Sequence, residues 1–428
     1  MIEEFSLGNF WSFKEMQTLN MTAAKIKSKN SRLDTVNLIP VGHDLSLLKS
    51  KAIYGANASG KSNVIKALVA FIRITNESVK NEKVLEMIES FQLSTETVNE
   101  PTFFQMTIRI DNIRYRYGFE ADAESIKSEW LFSTPNLREQ ALFVREGDQV
   151  IDINQKHFAE GQKSIDLSGG EGQIFRSNSL FLSSLASFGF GKISRRIVNM
   201  FSSISVINGL GHPGMFGYAG EFLDNPSKKK FILEFLKKAD VGIQDLNAVE
   251  LKSDQFPENM SDEVKQGFKK SKFIISDRNR FNAENELVGN VKFAFDVQES
   301  EGTRKLFELS PFIFSALNTG TTLVIDEFDA RFHPLLTKKI VDLFNSEANK
   351  KGAQLIFTTH DTNLLSADLL RRDQIDFVEK DRYGASHLYT LVEIKGVRND
   401  ASFEKDYIQG KYGAIPFLGD FINLIDLD

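Results

Sequence analysis

Gly55, Gly60, Lys61 and Ser62 have the types and spacing of a phosphate-binding loop. Small residues let consecutive backbone N–H groups surround phosphate oxygens, the Lys61 ammonium neutralises charge, and the Ser62 hydroxyl can bind Mg²⁺. The run Ala52-Ile53-Tyr54 before the loop predicts a strand, and apolar spacing after it predicts a helix. The sequence therefore predicts a nucleoside triphosphate site. The other residues expected to bind the nucleotide here are Asn57, Ala58, Ser59 and Asn63.

Two adjacent acids, Asp326 and Glu327, follow the β-branched run 321–325, which is typical of a buried strand in a parallel sheet. Ligands bind at the C-terminal ends of such strands. We expect Asp326 to hold Mg²⁺ through water and Glu327 to polarise the attacking water. The next predicted strand ends in His360, which could donate a hydrogen bond to the γ-phosphate or could simply cap the strand. The predicted catalytic residues are Glu327, His360 and Lys61.

The order of phosphate loop, distant Asp-Glu strand and Thr-Thr-His strand resembles that of ABC-type ATPase heads, a group that includes SMC, RecF-like and OLD-family proteins. The resemblance implies an α/β P-loop head with a flanking antiparallel β-sheet. It also implies ATP and Mg²⁺ as cofactors and hydrolysis of ATP to ADP and phosphate. Such heads pair head to tail, so we expect a homodimer or higher homo-oligomer that encloses two nucleotides.

ABC-type heads carry a signature sequence before the Asp-Glu strand, and two segments are candidates here. Ser300-Glu301-Gly302 opens a predicted helix, and Gly302 lies 24 residues before Asp326. A Ser hydroxyl, a Gly N–H and a helix N-terminus form a γ-phosphate receptor that a second subunit could offer. Leu167–Gln173 resembles the transporter signature by its letters but lies more than 150 residues before Asp326; its alternative is a surface loop.

Two further roles come from the same resemblance. Asp329 lies where such heads place a residue that crosses the dimer seam. Gln92, 31 residues after Lys61, is the candidate for the glutamine that senses Mg²⁺ and water.

The composition is that of an ordinary globular protein, with 41% hydrophobic and 26% charged residues in 428. No apolar run reaches the length of a membrane helix, and the acidic start MIEEF is not a signal peptide. The absence of cysteine excludes disulfides and thiolate chemistry and fits a reducing cytoplasm. A net charge of −6 argues against a protein that coats nucleic acid over its whole surface.

The pattern along the chain predicts three parts. Residues 1–174 hold the phosphate loop and several short strand runs, 175–290 show helical spacings of an inserted, mostly helical arm, and 291–428 complete the head. No long heptad run predicts a coiled coil. A basic stretch in the arm indicates either a nucleic-acid surface or a solvated face; it contains Lys265, Phe268, Lys269, Lys270, Lys272, Phe273, Arg278 and Arg280.

The segments Asn9–Phe13 and Tyr407–Pro416 resemble the beginning and end of RloA/AbiLi-like ATPases of bacterial abortive-infection systems, to which the ATPases of PARIS-like systems are related. This resemblance implies a sensor and scaffold that controls a separately encoded effector, such as a Toprim nuclease or an RloB-like protein, in response to a phage trigger protein. Because only 68 residues of this sequence follow His360, we expect no Toprim domain within it. A RecF- or SMC-like DNA-repair ATPase and a nucleotide-gated assembly module with negligible turnover are the alternatives.

Overall fold

A computed structural model describes residues 1–42, 44–167, 175–211, 214–239, 241–250, 272–398, 400–416 and 419. The central element is a six-stranded sheet of order β11-β15-β16-β5-β17-β18, parallel except for β18. The C-terminal ends of its five parallel strands therefore share one edge. Its strands are β5 (Ser50–Tyr54), β11 (Ser205–Asn208), β15 (Thr322–Asp326), β16 (Gln354–Thr358), β17 (Ile375–Lys380) and β18 (Ser386–Thr390).

An antiparallel sheet of seven strands, in the order β10-β9-β8-β7-β6-β1-β2, flanks the first sheet. The predicted strand runs between residues 102 and 153 all belong to it. Its strands are β1 (Ile2–Gly8), β2 (Gln17–Asn20), β6 (Thr102–Ile110), β7 (Ile113–Ala121), β8 (Ile126–Thr134), β9 (Gln140–Glu146) and β10 (Gln149–Ile153). Smaller antiparallel sheets are formed by β3 (Leu38–Pro40) with β4 (Ser46–Leu48), and by β12 (Ile243–Glu250), β13 (Lys272–Phe281) and β14 (Leu287–Ala294).

Helices cover both faces of the parallel sheet. They are α1 (Leu33–Val36), α2 (Lys61–Glu77), α3 (Ala159–Leu167), α4 (Phe181–Phe188), α5 (Lys192–Ser202), α6 (Met215–Phe222), α7 (Pro226–Lys238), α8 (Phe295–Gln298), α9 (Glu301–Thr319), α10 (Pro334–Phe344) and α11 (Phe403–Ile408). Short 3₁₀ turns occupy Val84–Met87, Thr362–Leu364 and Arg372–Gln374. Among the described residues, no helix is both long and apolar enough to cross a membrane.

Alternation along each parallel strand divides the apolar side chains between two cores. Ile53, Val324 and Ile356 face the first core, where α2 lies between the two large sheets. Phe71 of α2 stacks on Phe119 of the antiparallel sheet at a ring-centroid distance of 5.6 Å. The neighbouring residues on the same strands face the second core with α9, α10 and α11. The strand and the helix that flank the phosphate loop are therefore held in place by both cores.

The described part of 175–290 is more mixed than a mostly helical arm and is joined to the head. α4 and α5 pack against α2, and β11 is an edge strand of the parallel sheet. α6 and α7 pack on α9, while β12, β13 and β14 form a sheet of their own. A four-residue strand such as Ser205–Asn208 is too short for its periodicity to be recognised in the sequence.

Candidate functional site

The phosphate loop joins β5 to α2 in a conformation that requires glycine. Gly60, at φ 112°, caps the first turn of α2. A Cβ at Gly60 would collide with Ser386 Oγ and lie 2.8 Å from Ser12 Oγ. Ser386 Oγ donates to Ser59 O at 2.6 Å, and Asn63 Nδ2 donates to Ser12 Oγ at 2.8 Å. Ser12 and Ser386 therefore hold the phosphate loop in place by contacts and hydrogen bonds. No sequence pattern indicated this role.

The other small residues complete the curl of this loop. Ala58 has φ 60° and, like Asn57, is exposed, so both leave backbone accessible above the loop. At Gly55 a Cβ would lie 2.6 Å from Ser59 Oγ and would collide with Val378 O. The close approach of strand β17 thus fixes the first glycine of the pattern.

Lys61 is buried beneath the loop, and its ammonium is satisfied by the loop itself. Nζ donates to Gly55 O at 2.8 Å and to Ala56 O at 2.9 Å. Burial lowers the pKa of Lys61 to about 8, while the charges of Asp326, Asp329 and Glu327 partly oppose the shift. A triphosphate would exchange these neutral carbonyls for charged oxygens, which are stronger partners.

Ser62 and Asp326 are brought together as the sequence predicts. Ser62 Oγ donates to Asp326 Oδ1 at 3.2 Å, and Thr358 Oγ1 donates to the same oxygen at 2.5 Å. No group of three His, Cys, Asp or Glu side chains suited to a metal occurs among the described residues. Mg²⁺ in nucleotide sites usually takes one or two carboxylates, phosphate oxygens and water, so Ser62 and Asp326 fit that ion.

Glu327 begins the loop after β15 with φ 51°, a left-handed conformation rare for residues other than glycine. Its backbone N–H donates to Thr358 Oγ1 at 2.8 Å. Gly209, which follows β11, donates to Asp326 O at 2.7 Å, and a Cβ on it would collide with Glu327 O. Thr358 and Gly209 thus fix the backbone of both acids. Of these two supporting residues, only Thr358 could be expected near the site from the sequence, because it lies at the end of the predicted strand that leads to His360.

His360 and Asp329 lie beside this pair. His360 N donates to Asp329 Oδ1 at 3.2 Å. Asp329, expected to cross a dimer seam, therefore has a partner within its own chain. Desolvation lowers the pKa of His360, the charge of Lys61 lowers it further, and Asp329 and Asp326 oppose the shift. The ring is therefore a neutral donor near pH 7.

Ser300, in the signature candidate Ser300-Glu301-Gly302, is the N-cap of α9. Its Oγ accepts from Thr303 N at 3.1 Å. Gly302 packs against Arg331, because a Cβ on the glycine would lie 3.0 Å from Arg331 O. In the other candidate, Leu167–Gln173, residues 168–173 lie outside the described part of the chain, and Leu167 ends α3 with its side chain exposed.

Gln92 is not brought to the acids, contrary to its predicted role at the metal. Its amide donates to Ser90 O at 3.1 Å and to Ser90 Oγ at 3.0 Å. It lines a cavity of about 420 Å³, whereas Ser62 and Asp326 line a different cavity of about 530 Å³. The local turn with Ser90 therefore satisfies the group that was expected to sense the metal.

The basic stretch is partly neutralised within the chain. Arg278 Nη2 contacts Glu299 Oε2 at 2.5 Å, and Lys272 pairs with Asp224. Lys265, Phe268, Lys269 and Lys270 lie outside the described residues.

A protein-family model described as "AAA domain, putative AbiEii toxin, Type IV TA system" matches residues 52–180 and 220–366, more than half of the chain. The matched ranges include the phosphate loop, both acids and His360. No curated protein matches the sequence.

Similar solved structures include three SMC heads. One, bound to the C-terminal winged-helix domain of ScpA, is 14% identical at a TM-score of 0.43, covering 91% of this chain and 97% of that one. An SMC head from Thermotoga maritima is 12% identical at 0.40, with coverages of 91% and 98%. A head with an extended coiled coil, bound to the C-terminal domain of ScpA and derived from Pyrococcus furiosus, is 15% identical at 0.40, with coverages of 96% and 98%. The parallel sheet with its phosphate loop and the flanking antiparallel sheet give this chain the α/β P-loop fold that was predicted.

Proposed function

The chain belongs to this AAA-domain family, and on that premise we propose that it hydrolyses ATP to control a separately encoded effector in bacterial anti-phage defence. The observation that carries the enzymatic part is the convergence of Lys61, Ser62, Asp326 and Glu327 at one edge of the sheet. Binding groups, a place for Mg²⁺ and a base for water all lie there. A triphosphate is the ligand that uses all three.

In this proposal each residue has a separate task. The loop N–H groups and Lys61 bind the β- and γ-phosphates, and Ser62 and Asp326 hold Mg²⁺, which neutralises phosphate charge. Glu327 accepts a proton from the water that attacks the γ-phosphorus, while the bond to the β,γ-bridging oxygen breaks and ADP departs. His360 donates to the γ-phosphate as a neutral ring.

We extend the proposal to pairing between two copies. The N-terminus of α9, with the Ser300 hydroxyl and the Gly302 N–H, provides donors for the γ-phosphate held by a second copy. Asp329 orders the His360 turn of its own chain, so its contribution to the seam would be made through that turn. ATP then joins two heads, and hydrolysis separates them.

The defence role rests on the family's printed description, which names a toxin–antitoxin system, and on the sequence resemblance of the tail. That tail packs on the ATPase sheet, since Tyr389 OH of β18 donates to Tyr412 O at 2.8 Å and the Tyr407 ring stacks on Phe377 of β17 at a centroid distance of 5.4 Å. We propose a cytoplasmic scaffold that holds a nuclease, of Toprim type or otherwise, or an RloB-like effector. A phage trigger protein would release it.

ATP turnover tests the enzymatic part. We expect Lys61→Ala to lose nucleotide binding, and Glu327→Gln to keep binding while turnover falls about 10²–10⁴-fold, because only water activation is lost. Lys83→Ala, at an exposed lysine, is the matched control. Unchanged rates in both site variants would contradict the proposal. Absent wild-type turnover with intact ATP-dependent assembly would instead select the structural assembly module.

Phage plating tests the defence part. Protection should require both this chain and the product of the neighbouring gene, and Lys61→Ala should abolish it. Full protection by this chain alone would contradict control of a separate effector. Salt-dependent DNA binding that stimulates ATP turnover, without any effect on plating, would select the DNA-repair alternative.

A further inference from the structure

Lys305 is a buried lysine of α9 that has no task in the phosphate chemistry described above. Its exposed fraction is 5%. Nζ donates to Phe328 O at 2.9 Å and also to Ala330 O, and it lies 4.1 Å from the centroid of the Phe332 ring. All three partners belong to the loop 327–332, which begins with the proposed base. The ammonium thus binds the backbone that carries Glu327.

This loop has a conformation that needs external support. Glu327 has φ 51° and Arg331 has φ 65°, and residues with a Cβ rarely adopt either angle. Thr358 holds the start of the loop through the Glu327 N–H. Lys305 holds its middle, where two carbonyl groups turn towards one ammonium. The two supports together define where the Glu327 backbone lies.

The charges around Lys305 tie it to the same loop. Burial and the nearby Arg331 lower the pKa of Lys305 to about 8, whereas the carboxylates of Asp329 and Glu327 favour the charged form. The acids of the site therefore help to keep this buried ammonium charged. Replacement of the amine by an apolar group would leave two carbonyls without their donor.

The first turns of α9 contact this loop at two more points. Arg331 Nε lies 3.2 Å from Glu301 Oε2, and the Arg331 carbonyl packs against Gly302. Lys305 is one turn further along the helix that begins after Ser300. The end of α9 that would receive a partner's γ-phosphate is therefore joined directly to the loop that holds the chain's own base.

We propose that Lys305 is a positioning residue that sets Glu327 for attack by water and couples α9 to that base. Seating of the partner's nucleotide on Ser300 and Gly302 moves or fixes α9, and Lys305 transmits this to the Glu327 backbone. The inference rests on the proposed ATP hydrolysis. In this proposal Lys305 acts through the loop and not by contact with either nucleotide.

Steady-state ATP hydrolysis by the full chain tests the coupling. We expect Lys305→Met to lower kcat roughly 10–100-fold, as loss of an outer positioning contact does. KM and the affinity for a non-hydrolysable ATP analogue should stay within about twofold, because binding uses other groups. Lys305→Arg, which keeps charge and donors, should recover part of kcat. Lys339→Met on the exposed side of α10 is the matched control.

An unchanged kcat in a folded Lys305→Met variant would overturn the inference while leaving the ATPase function intact. Parallel losses of kcat, analogue affinity and Tm would also overturn it, because they indicate a structural role alone. If the Met variant does not fold, Lys305→Gln replaces it, since Gln can donate to one carbonyl, and the same split between kcat and KM is expected. A wild-type chain without turnover would refute the proposed function and this inference together.

Discussion

The Thr358 hydroxyl donates to Asp326 Oδ1 at 2.5 Å. The same oxygen of Thr358 accepts from the backbone N–H of Glu327 at 2.8 Å. One side chain at the end of β16 therefore orients the metal acid and the base acid at the end of β15. In the proposed mechanism Thr358 acts on both binding of the metal and activation of water.

Thr358→Val should remove both hydrogen bonds while it leaves the packing almost unchanged, because Thr and Val side chains have almost the same shape. We expect ATP turnover to fall roughly 10–100-fold, as for loss of other contacts that orient a metal ligand. Thr358→Ser retains the hydroxyl and should stay close to the wild type. Turnover measured across Mg²⁺ concentrations would show a raised Mg²⁺ requirement in the Val variant. Equal turnover in the Val and Ser variants would contradict this role.

ATP affinity should depend on pH through Lys61. The pKa of Lys61 in the free protein is lowered to about 8, so the ammonium that binds phosphate is lost as pH rises through that value. Affinity should be nearly constant below pH 7 and fall by up to about tenfold per pH unit above pH 8. Lys61→Arg, which stays charged, should remove the dependence. Calorimetric titrations from pH 6.5 to 9.5 measure it, and a flat wild-type profile would exclude it.

Gly209→Ala should damage the site from outside the phosphate loop. The added Cβ would collide with Glu327 O, so the peptide of the two acids must shift. We expect a loss of about 1–3 kcal/mol in the free energy of unfolding and a fall in kcat of roughly 10²-fold. Gly217→Ala, an exposed position of α6 with open space around it, is the control. Wild-type kcat in the Gly209 variant would refute the contact.

The buried pair Lys51 and Asp376 should contribute to stability and not to chemistry. Nζ and Oδ1 are 2.8 Å apart, and burial raises the pKa of Asp376 to about 6. Lys51→Met leaves the acid unpaired and should cost about 3–5 kcal/mol in the free energy of unfolding while the acid is charged. Loss of the Lys51 charge raises the pKa of Asp376 further, so by pH 5 the acid is neutral in the folded variant and the loss should be smaller. Urea denaturation at pH 5 and pH 7.5 measures this difference.

Mixing two inactive variants tests head-to-tail pairing. Ser300→Arg blocks the receptor on α9, and Glu327→Gln removes the base of the same chain. In a mixed pair, the base of the first variant faces the intact α9 of the second. Random exchange makes half of all pairs mixed, with one intact site in two, so about a quarter of wild-type turnover should return. No recovery, with mixed pairs demonstrated by mass, would contradict pairing of this kind.

The sequence predicted the site most completely where chemistry restricts residue types. The structure brings the phosphate loop, Asp326 and Glu327 to one edge of the sheet and places Ser300 at the start of α9. The supporting roles of Ser12, Gly209 and Ser386 could not be predicted from the sequence, because these residues act through close packing between distant segments. Gln92 was misjudged for a related reason: a local turn with Ser90 satisfies its amide.

Much of the fold followed from alternation and length. The antiparallel strands between residues 102 and 153 are long enough for the two-residue period to be visible. The edge strand Ser205–Asn208 was hidden in a segment dominated by helical spacing, although it pairs with the strand that ends in Asp326. Pairing over such sequence distances depends on tertiary contacts that no local pattern records.

The position of β5 has a consequence for how the chain acquires its fold during synthesis. Its two neighbours in the sheet, β16 and β17, follow it by roughly 300 residues, which ribosomes add in about 15–60 s. For that time the strand leading into the phosphate loop is an apolar segment with both hydrogen-bonding edges free. The nascent chain therefore carries an unpaired strand until β16 and β17 have been synthesised, and the sheet around the phosphate loop can close only after that point.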